Sequence, residues 1–312
     1  MSSTTTIAIA GFTGRMARLI TNFILQDHPD AIIHGICRSA SKVDANVRLN
    51  PRVRLFEASS TDISTIRAAL AGTAVCICCY LGDSKLMVDG QKILIDACIA
   101  ENVPRYIASD YTFDYRTLKL GDYPAKDPSI HIHQYLQEKE ETENIRGVHV
   151  LNGAFMEFIW SPLLGFVNAA EGKFRYYGTG DEQLEMTAMK DAAKFVAAVS
   201  MDPKAVGAVK YRGDSKSIKE LAYLYQETFR VEPSIQGLGS LQDLHGNMTF
   251  VFKENPRNGF SWIGLYGQYW MSNGQTLLGD TDNGRFPEVV PTTVEEFLKG
   301  HTKESLGKST QF

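Results

Sequence analysis

The chain reads as an α/β protein, a doubly wound parallel sheet followed by a smaller α+β region. Three observations predict this. Strand and helix signals alternate through the first half, which calls for a parallel sheet covered on both faces. The run "TAVCICCYLG" is apolar through its centre, as expected of a strand buried on both sides. The opening "TTTIAIAGFTGRMARLI" places a glycine loop between a strand and a helix, the setting that a dinucleotide-binding turn requires.

The elements follow in order. "TIAIA" is a short β run, and "RMARLITNFILQD" carries apolar residues at helical spacing. "AIIHGIC" and "RVRLF" read as strands and "DISTIRAALAG" as a helix closed by Gly72. "AVCICCY" is the next strand, "KLMVDGQKILIDACIAEN" a long helix and "RYIAS" a further strand. Ligands of such sheets sit at the carboxyl ends of the strands. Near the other end of the chain, "TTVEEFLKG" reads as a helix capped at Thr292 or Thr293, with "KESLGKSTQF" beyond it expected to be loose. There is no internal repeat and no low-complexity linker.

Composition bounds the function. At 44% hydrophobic and 22% charged, with a formal charge of −4, the chain is an ordinary globular protein with no electrostatic reason to bind nucleic acid. No apolar run approaches the roughly 20 residues of a membrane span. "MSSTTT" lacks the basic and apolar regions of a secretory leader, so a cytoplasmic location is expected. The five cysteines, Cys37, Cys76, Cys78, Cys79 and Cys98, are an odd number, which argues against a full disulfide framework. Cys76 and Cys79 form a C-x-x-C, but within a buried strand, whereas a redox thiolate wants exposure at a helix start. Zinc would need further ligands at suitable spacing, and none are evident. The cysteines read as structural, and no metal is expected.

In the opening loop, Gly11 permits the tight turn and Gly14 lets the backbone approach a pyrophosphate, while helix N-terminal amides supply donors. Ala17, at the third loop position, still allows close packing of the helix on the sheet. The second strand ends "GICRSASK". An NAD site would place an acidic residue there. Arg38 stands instead, with Ser39, Ser41 and Lys42 close behind, and a guanidinium fork suits a 2′-phosphate. NADP(H) is the expected dinucleotide.

Together, "GFTGRMA", "CRS", "YLGD", "VPRYIASDYT", "GVHVLNGAFMEF", "YYGTGDEQLEMTAMKDAAKFVAAVSMDP" and "GDSKSIKELAYLYQETF" resemble the NmrA-like and isoflavone-reductase-like group of atypical short-chain dehydrogenases. The resemblance spans about residues 5 to 230. It implies a Rossmann domain over residues 1–155, binding NADP(H), and a substrate domain over residues 156–312, some segments of which return to the first sheet. It also implies that Gly11, Thr13, Gly14, Arg15 and Met16 line the pyrophosphate and that Arg38 holds the 2′-phosphate. Ser59 and Ser60 would sit by the adenine, and Tyr80, Leu81 and Gly82 by the nicotinamide ribose. Asn152, Gly153, Ala154 and Phe155 would bound the nicotinamide.

Reductase members of the group carry a lysine on the helix after a segment equivalent to Ser109–Thr112. Counting back from Gly147, that position falls near Leu136. The pair Tyr-x-x-x-Lys occurs at Tyr115/Lys119, among turn residues, and at Tyr135/Lys139, where the lysine reads as part of a solvated acidic helix end. His133, about one turn before Leu136, can act as a general acid near neutral pH or stand as a helix-surface histidine. His131 points to another side of that helix, against a metal pair. Asp110 and Tyr111 follow the carboxyl end of a strand, where site residues gather. Tyr111 and His133 are the expected proton donors and Asp110 the residue that orients them.

"NGAFMEFIWSPLLGF" and "GFSWIGLYGQYWMSNG" place Phe155, Met156, Trp160, Trp262, Tyr266 and Trp270 either around an apolar, cyclic small-molecule substrate or in the core. Two functions are compatible with these residues. One is an NADPH-dependent reductase of C=N, C=C or C=O in natural-product biosynthesis, with reduction coupled to cyclisation or cycloaddition as one form. The other is an NmrA-type regulator that senses dinucleotide without catalysis. Monomer and homodimer are both open.

Overall fold

The computed structural model describes residues 4–306, and the chain divides into two compact units. The first takes in the chain up to Tyr111, then Lys126–Val150 and Ala192–Val209; the second takes in Thr112–Ala125, Leu151–Asp191 and the chain from Lys210.

The first unit is built on β1 (Thr6–Ala10), α1 (Arg15–Asp27), β2 (Ile32–Cys37), a short α2 (Ala45–Arg48), β3 (Val53–Glu57), α3 (Ile63–Leu70) and β4 (Val75–Cys78). It continues with α4 (Gln91–Ala100), β5 (Arg105–Ile107), α5 (Asp127–Thr142) and β6 (Arg146–Leu151). The strands lie side by side as β3-β2-β1-β4-β5-β6, with the strand Gly207–Lys210 beyond β6. The pairings among β1 to β6 are parallel. This is the order of the doubly wound dinucleotide-binding fold, as the alternation of signals predicts. β4 is buried along its whole length, so the apolar "VCIC" needs no polar face, and all five cysteines are buried free thiols. α1 buries Ala17, Ile20, Thr21, Phe23 and Ile24, the stripe that helical spacing dictates.

One local feature departs from sequence expectation, and the structure resolves another that the sequence leaves open. The long helix foreseen over "KLMVDGQKILIDACIAEN" begins as a π-helical turn, Leu86–Gly90, and becomes α-helical only at Gln91. Asp83 anchors the turn by accepting the Leu86 amide at 2.9 Å, and the Gln91 side chain donates back to the Met87 carbonyl at 2.8 Å. The absent side chain at Gly90 lets the turn press on its neighbours: a Cβ there would lie 3.5 Å from the Ser60 Cβ and 3.6 Å from the Tyr80 ring. In the tail, Thr293 rather than Thr292 caps the helix Val294–Lys299, reciprocally with Glu296. The Thr292 amide is engaged instead by Asp191 at 2.6 Å. Of the segment expected to be loose, Lys303–Leu306 forms a helical turn that buries Leu306; residues 307–312 lie outside the described range.

The second unit carries two small sheets. In one, Leu184–Thr187 lies between Asp214–Lys216 and Ala154–Phe155; in the other, Lys173–Tyr176 lies between Ser234–Gly237 and Val167–Asn168. The helices Ile218–Phe229 and Leu241–Glu254 start at capping boxes, Ser217 with Glu220 and Ser240 with Asp243, which satisfy orphan amides in both directions. Trp160, Phe174 and Tyr225 are fully buried against one another.

Within the first unit, Arg105 closes a helix end. The helix Met189–Met201 leaves its last carbonyls without intrahelical donors. The buried Arg105 guanidinium donates to the carbonyls of Val199 at 3.0 Å, Ser200 at 2.6 Å and Asp202 at 2.8 Å. The Val199 and Asp202 carbonyls also accept the backbone amides of Asp202 at 3.2 Å and Ala205 at 3.0 Å. Arg105→Leu therefore keeps the aliphatic bulk but removes three bonds and leaves the Ser200 carbonyl without its donor. It is expected to lower unfolding free energy by about 2 kcal/mol in urea denaturation.

Candidate active site

β1 ends in a turn that only glycine can make. Gly11 has φ +75°, and a Cβ on it would meet the Cys79 carbonyl oxygen, at the end of β4, at 2.6 Å. The next residue, Phe12, turns inward: its amide donates to Ile36 at 3.1 Å and its ring fills the space that the missing side chain of Gly35 leaves. Gly14 donates to Gly11 at 2.9 Å and becomes the N-cap of α1. No side chain caps α1 and no acidic residue stands in its first turn. Its opening amides and positive dipole end are therefore available to an anion. Thr13, Gly14 and Met16 are partly exposed and Arg15 is exposed along this turn, and Ala17 is fully buried against the sheet.

The loop after β2 is tied to this turn by Arg18, which donates to the Thr13 carbonyl at 3.1 Å and the Lys42 carbonyl at 3.2 Å. Arg38 leaves the end of β2 into solvent. The Ser39 and Ser41 hydroxyls bond each other at 2.8 Å. The carboxylate nearest in register is Glu57, opposite Cys37 at the end of β3, and it is engaged by the Ala40 amide at 2.5 Å. A cation thus stands where an NAD site would place an acid. Ser59 is exposed and Ser60 partly so at the end of β3. Beyond β4, Tyr80 is buried, while Leu81 and Gly82 are exposed.

The remaining candidates for the dinucleotide belong to the second unit. Gly153 has φ +68°, and a Cβ there would stand 2.4 Å from the Glu185 carbonyl oxygen. Asn152 is fully buried; its amide donates to Thr112 at 2.8 Å and its carbonyl accepts the Thr187 hydroxyl at 2.7 Å. Its side-chain Oδ1 has no hydrogen-bond partner, an acceptor suited to a ligand amide or hydroxyl. Phe155 is buried and packs edge-on to Phe158.

The proton-handling candidates meet at the end of β5. Asp110 turns back so that its amide bonds Ala108 at 2.9 Å. Tyr111 then adopts φ +43°, a conformation that costs a bulky residue energy and is held only by surrounding contacts. Its hydroxyl donates to the Cys78 carbonyl at 2.9 Å, next to the Cys79 sulfur at 3.7 Å, and burial pushes its pKa well up. Tyr111 therefore ties β5 to β4 and its proton is committed to that carbonyl.

Asp110 faces a residue that the sequence reading did not single out. Asp110 Oδ2 accepts from His149 Nδ1 at 2.7 Å, and His149 Nε2 lies 3.0 Å from His133 Nδ1. The two imidazoles meet edge to face at 4.6 Å, and the Asp110 and His149 side chains are 2% and 4% exposed. Gly147 sets this geometry: a Cβ on it would lie 3.1 Å from the Leu136 Cδ1, so its absence lets α5 approach β6. Two residues further along β6 is His149, on the same face, and one turn earlier in α5 is His133. Lys126, before α5, is also beside Asp110. Burial lowers its pKa to about 8, against the opposing pull of the Asp110 charge.

The other sequence candidates are engaged elsewhere. Tyr135 donates to Asp96 at 2.5 Å and Lys139 lies 4.0 Å from the same carboxylate. Leu136 is core, and Tyr115 is buried in a turn that is followed by Lys119. His131 is exposed. Met156, Trp160, Trp262, Tyr266 and Trp270 are buried, the last three on the helix Gly259–Ser272, so they are core members of the second unit. Among the described residues no group of three or more His, Cys, Asp or Glu is placed to hold a metal.

Two predictions arise here. Gly11→Ala is strained by both backbone and contact, and is expected to destabilise the protein by about 2 kcal/mol or more in thermal unfolding. Lys126 titrates at about 8 when folded against an ordinary 10.5. Between those values the unfolded chain binds more protons, so stability rises with pH across that window. Thermal melts should show a rise that Lys126→Met lacks.

Comparison with known proteins places this geometry. An oxidoreductase with an NmrA-like family domain, from Gibberella moniliformis, is 30% identical over 142 residues, which is 45% of this chain and 46% of that protein. The matched stretch is thus less than half of that relative's length. An isoflavone reductase structure superposes with TM-score 0.77 at 16% identity, covering 96% of this chain and 99% of its own. Leucoanthocyanidin reductase from Vitis vinifera, solved with NADPH, superposes with TM-score 0.76 at 18% identity over 95% and 98% of the two chains. At such identities the likeness is one of fold. No helix of the described residues is long and apolar enough to cross a membrane. The model of the NmrA-like family matches residues 3–230, well over half of the sequence, and the chain belongs to that family.

Proposed function

We propose that this protein is an NADP(H)-dependent reductase. The observation that carries the reading is the uncapped start of α1 behind Gly11, flanked by Arg38 and without a free carboxylate at the end of β2. The first-turn amides of α1 bind the pyrophosphate and Arg38 the 2′-phosphate. Ser59 and Ser60 flank the adenine, while Tyr80, Leu81 and Gly82 border the nicotinamide ribose. Gly153, Phe155 and the unpartnered Asn152 Oδ1 serve the nicotinamide. The NADPH in the Vitis reductase structure supports this choice of dinucleotide.

NADPH supplies a hydride when bound. The matching proton comes from His133, at its Nε2, while Asp110 holds the histidine pair in place. Tyr111, spent on the Cys78 carbonyl, fixes the backbone that carries Asp110. The substrate is an apolar, cyclic small molecule with a C=N, C=C or C=O bond, of natural-product type, and its reduction is coupled to ring closure where the reduced centre is an iminium. The names of the isoflavone and leucoanthocyanidin reductases support a ring compound. A regulator that only senses dinucleotide would need Arg38 and the loop, but not a buried carboxylate and two imidazoles in line, which favours the enzyme.

Removing a guanidinium that makes charge-assisted bonds to a phosphate costs about 1.5–3 kcal/mol, or roughly 10- to 100-fold in Kd. Arg38→Ala should therefore weaken NADPH by that factor in calorimetric titration and leave NADH nearly unchanged; equal losses would refute the assignment. His133→Ala should keep NADPH affinity and lower its oxidation by cyclic iminium, enone and quinone compounds at least tenfold. An unaltered rate would remove His133 from the reaction.

A further inference from the structure

We propose that Asp110, His149 and His133 form one proton reservoir, in which His149, held by the buried carboxylate, takes up and returns the proton it shares with the imidazole of α5. His149 is the positioning member of the chain, acting on the reaction through His133. The inference rests on the reductase reading only for where the proton finally goes.

The hydrogen-bond inventory leaves few arrangements. An ionised Asp110 only accepts, so His149 carries a proton on Nδ1, at 2.7 Å from Oδ2. The contact between His149 Nε2 and His133 Nδ1, at 3.0 Å, then holds a single proton that belongs to one ring or the other. In the resting chain it sits on His133 Nδ1, and His133 Nε2 carries no proton. When the chain is loaded, a proton enters at His133 Nε2 and the shared proton moves to His149 Nε2. The positive charge then rests on His149, beside Asp110, instead of at the partly exposed end. Delivery reverses this: the His133 Nε2–H bond breaks, a substrate–H bond forms, and His149 Nε2–H returns its proton to His133 Nδ1. Charge is conserved, since the imidazolium becomes neutral as the hydride-bearing substrate anion is neutralised.

Burial gives the arrangement its value. A carboxylate at 2% exposure is costly unless paired, and a histidine that can become cationic at 2.7 Å meets that need. The groups acting on this carboxylate come from each neighbouring element: Lys126 before α5, Tyr111 after β5 and His149 on β6. Lys126 supplies a second positive charge near Asp110. It therefore shifts where the reservoir fills without being a link in it.

The test is the imidazole nitrogen NMR of histidine-labelled protein as a function of pH, with no nucleotide added. Groups this closely linked titrate as a pair. The reservoir predicts that His133 and His149 resonances move together with a common midpoint, and that His133 changes from the Nδ1–H to the Nε2–H tautomer as they do. In His149→Phe that exchange should be lost, with His133 titrating as an isolated ring. In His149→Gln, whose Oε1 can still accept from His133 Nδ1–H, the His133 tautomer at high pH should survive without the linked titration. Separate midpoints in the wild type, a His133 tautomer that never changes, or no proton uptake by either ring between pH 5 and 9 would each overturn the proposal; the window is chosen from the ordinary histidine value of about 6.5. NADPH calorimetry on the same wild-type sample separates the two claims. Absence of binding there overturns the reductase reading and leaves the reservoir standing or falling on the spectra.

Discussion

A side chain at Gly11 would drive into the Cys79 carbonyl oxygen, and much of the molecule's chemistry depends on that space staying empty. Because β1 can turn there against the end of β4, α1 starts within a few residues of the carboxyl end of β1 with no side chain capping it. The buried Ala17 keeps the helix close, and Arg18 straps the turn to the loop that carries Arg38. A helix terminus with no cap is a cost in isolation. It becomes useful once an anion occupies it, which is how a glycine turn converts backbone geometry into binding energy.

A second missing side chain does comparable work on the far side of β5. Gly147 brings α5 against β6, and the periodicities of helix and strand then leave His133 facing His149. The strained Tyr111 and its bond to the Cys78 carbonyl hold the backbone so that Asp110 completes the row. The cysteines, which in sequence invite a redox reading, serve here as small buried strand residues, and a carbonyl of one of them receives the tyrosine. The glycine turn lies at the carboxyl end of β1 and Asp110 just beyond that of β5, with β4 between them, on the side where a doubly wound sheet gathers its ligands.

Features governed by local spacing were legible in the sequence. The turn at Gly11 and Gly14, the cation at Arg38, the strand and helix alternation and the cap near Thr293 all rest on residues a few positions apart. What the sequence hid depends on neighbours in space. His149 sits in "RGVHVL" as one polar residue in an apolar strand, and its meaning needs the adjacency of β5 and β6. That adjacency is set by the order of the folded sheet, so the signal is not local. The engagement of Tyr111 by β4, the π-helical start before α4 and the proximity of Lys126 to Asp110 could not be read from periodicity, because each is decided by packing against a distant segment.

The central claim is that the turn after β1 and the loop after β2 form the dinucleotide site. Hydrogen exchange of the backbone amides, followed by mass spectrometry with and without NADPH, measures this at the residues concerned. The account predicts slowed exchange over residues 11–18 and 38–42 when NADPH is added. Unchanged exchange in both segments, or protection confined to other parts of the chain, would contradict it.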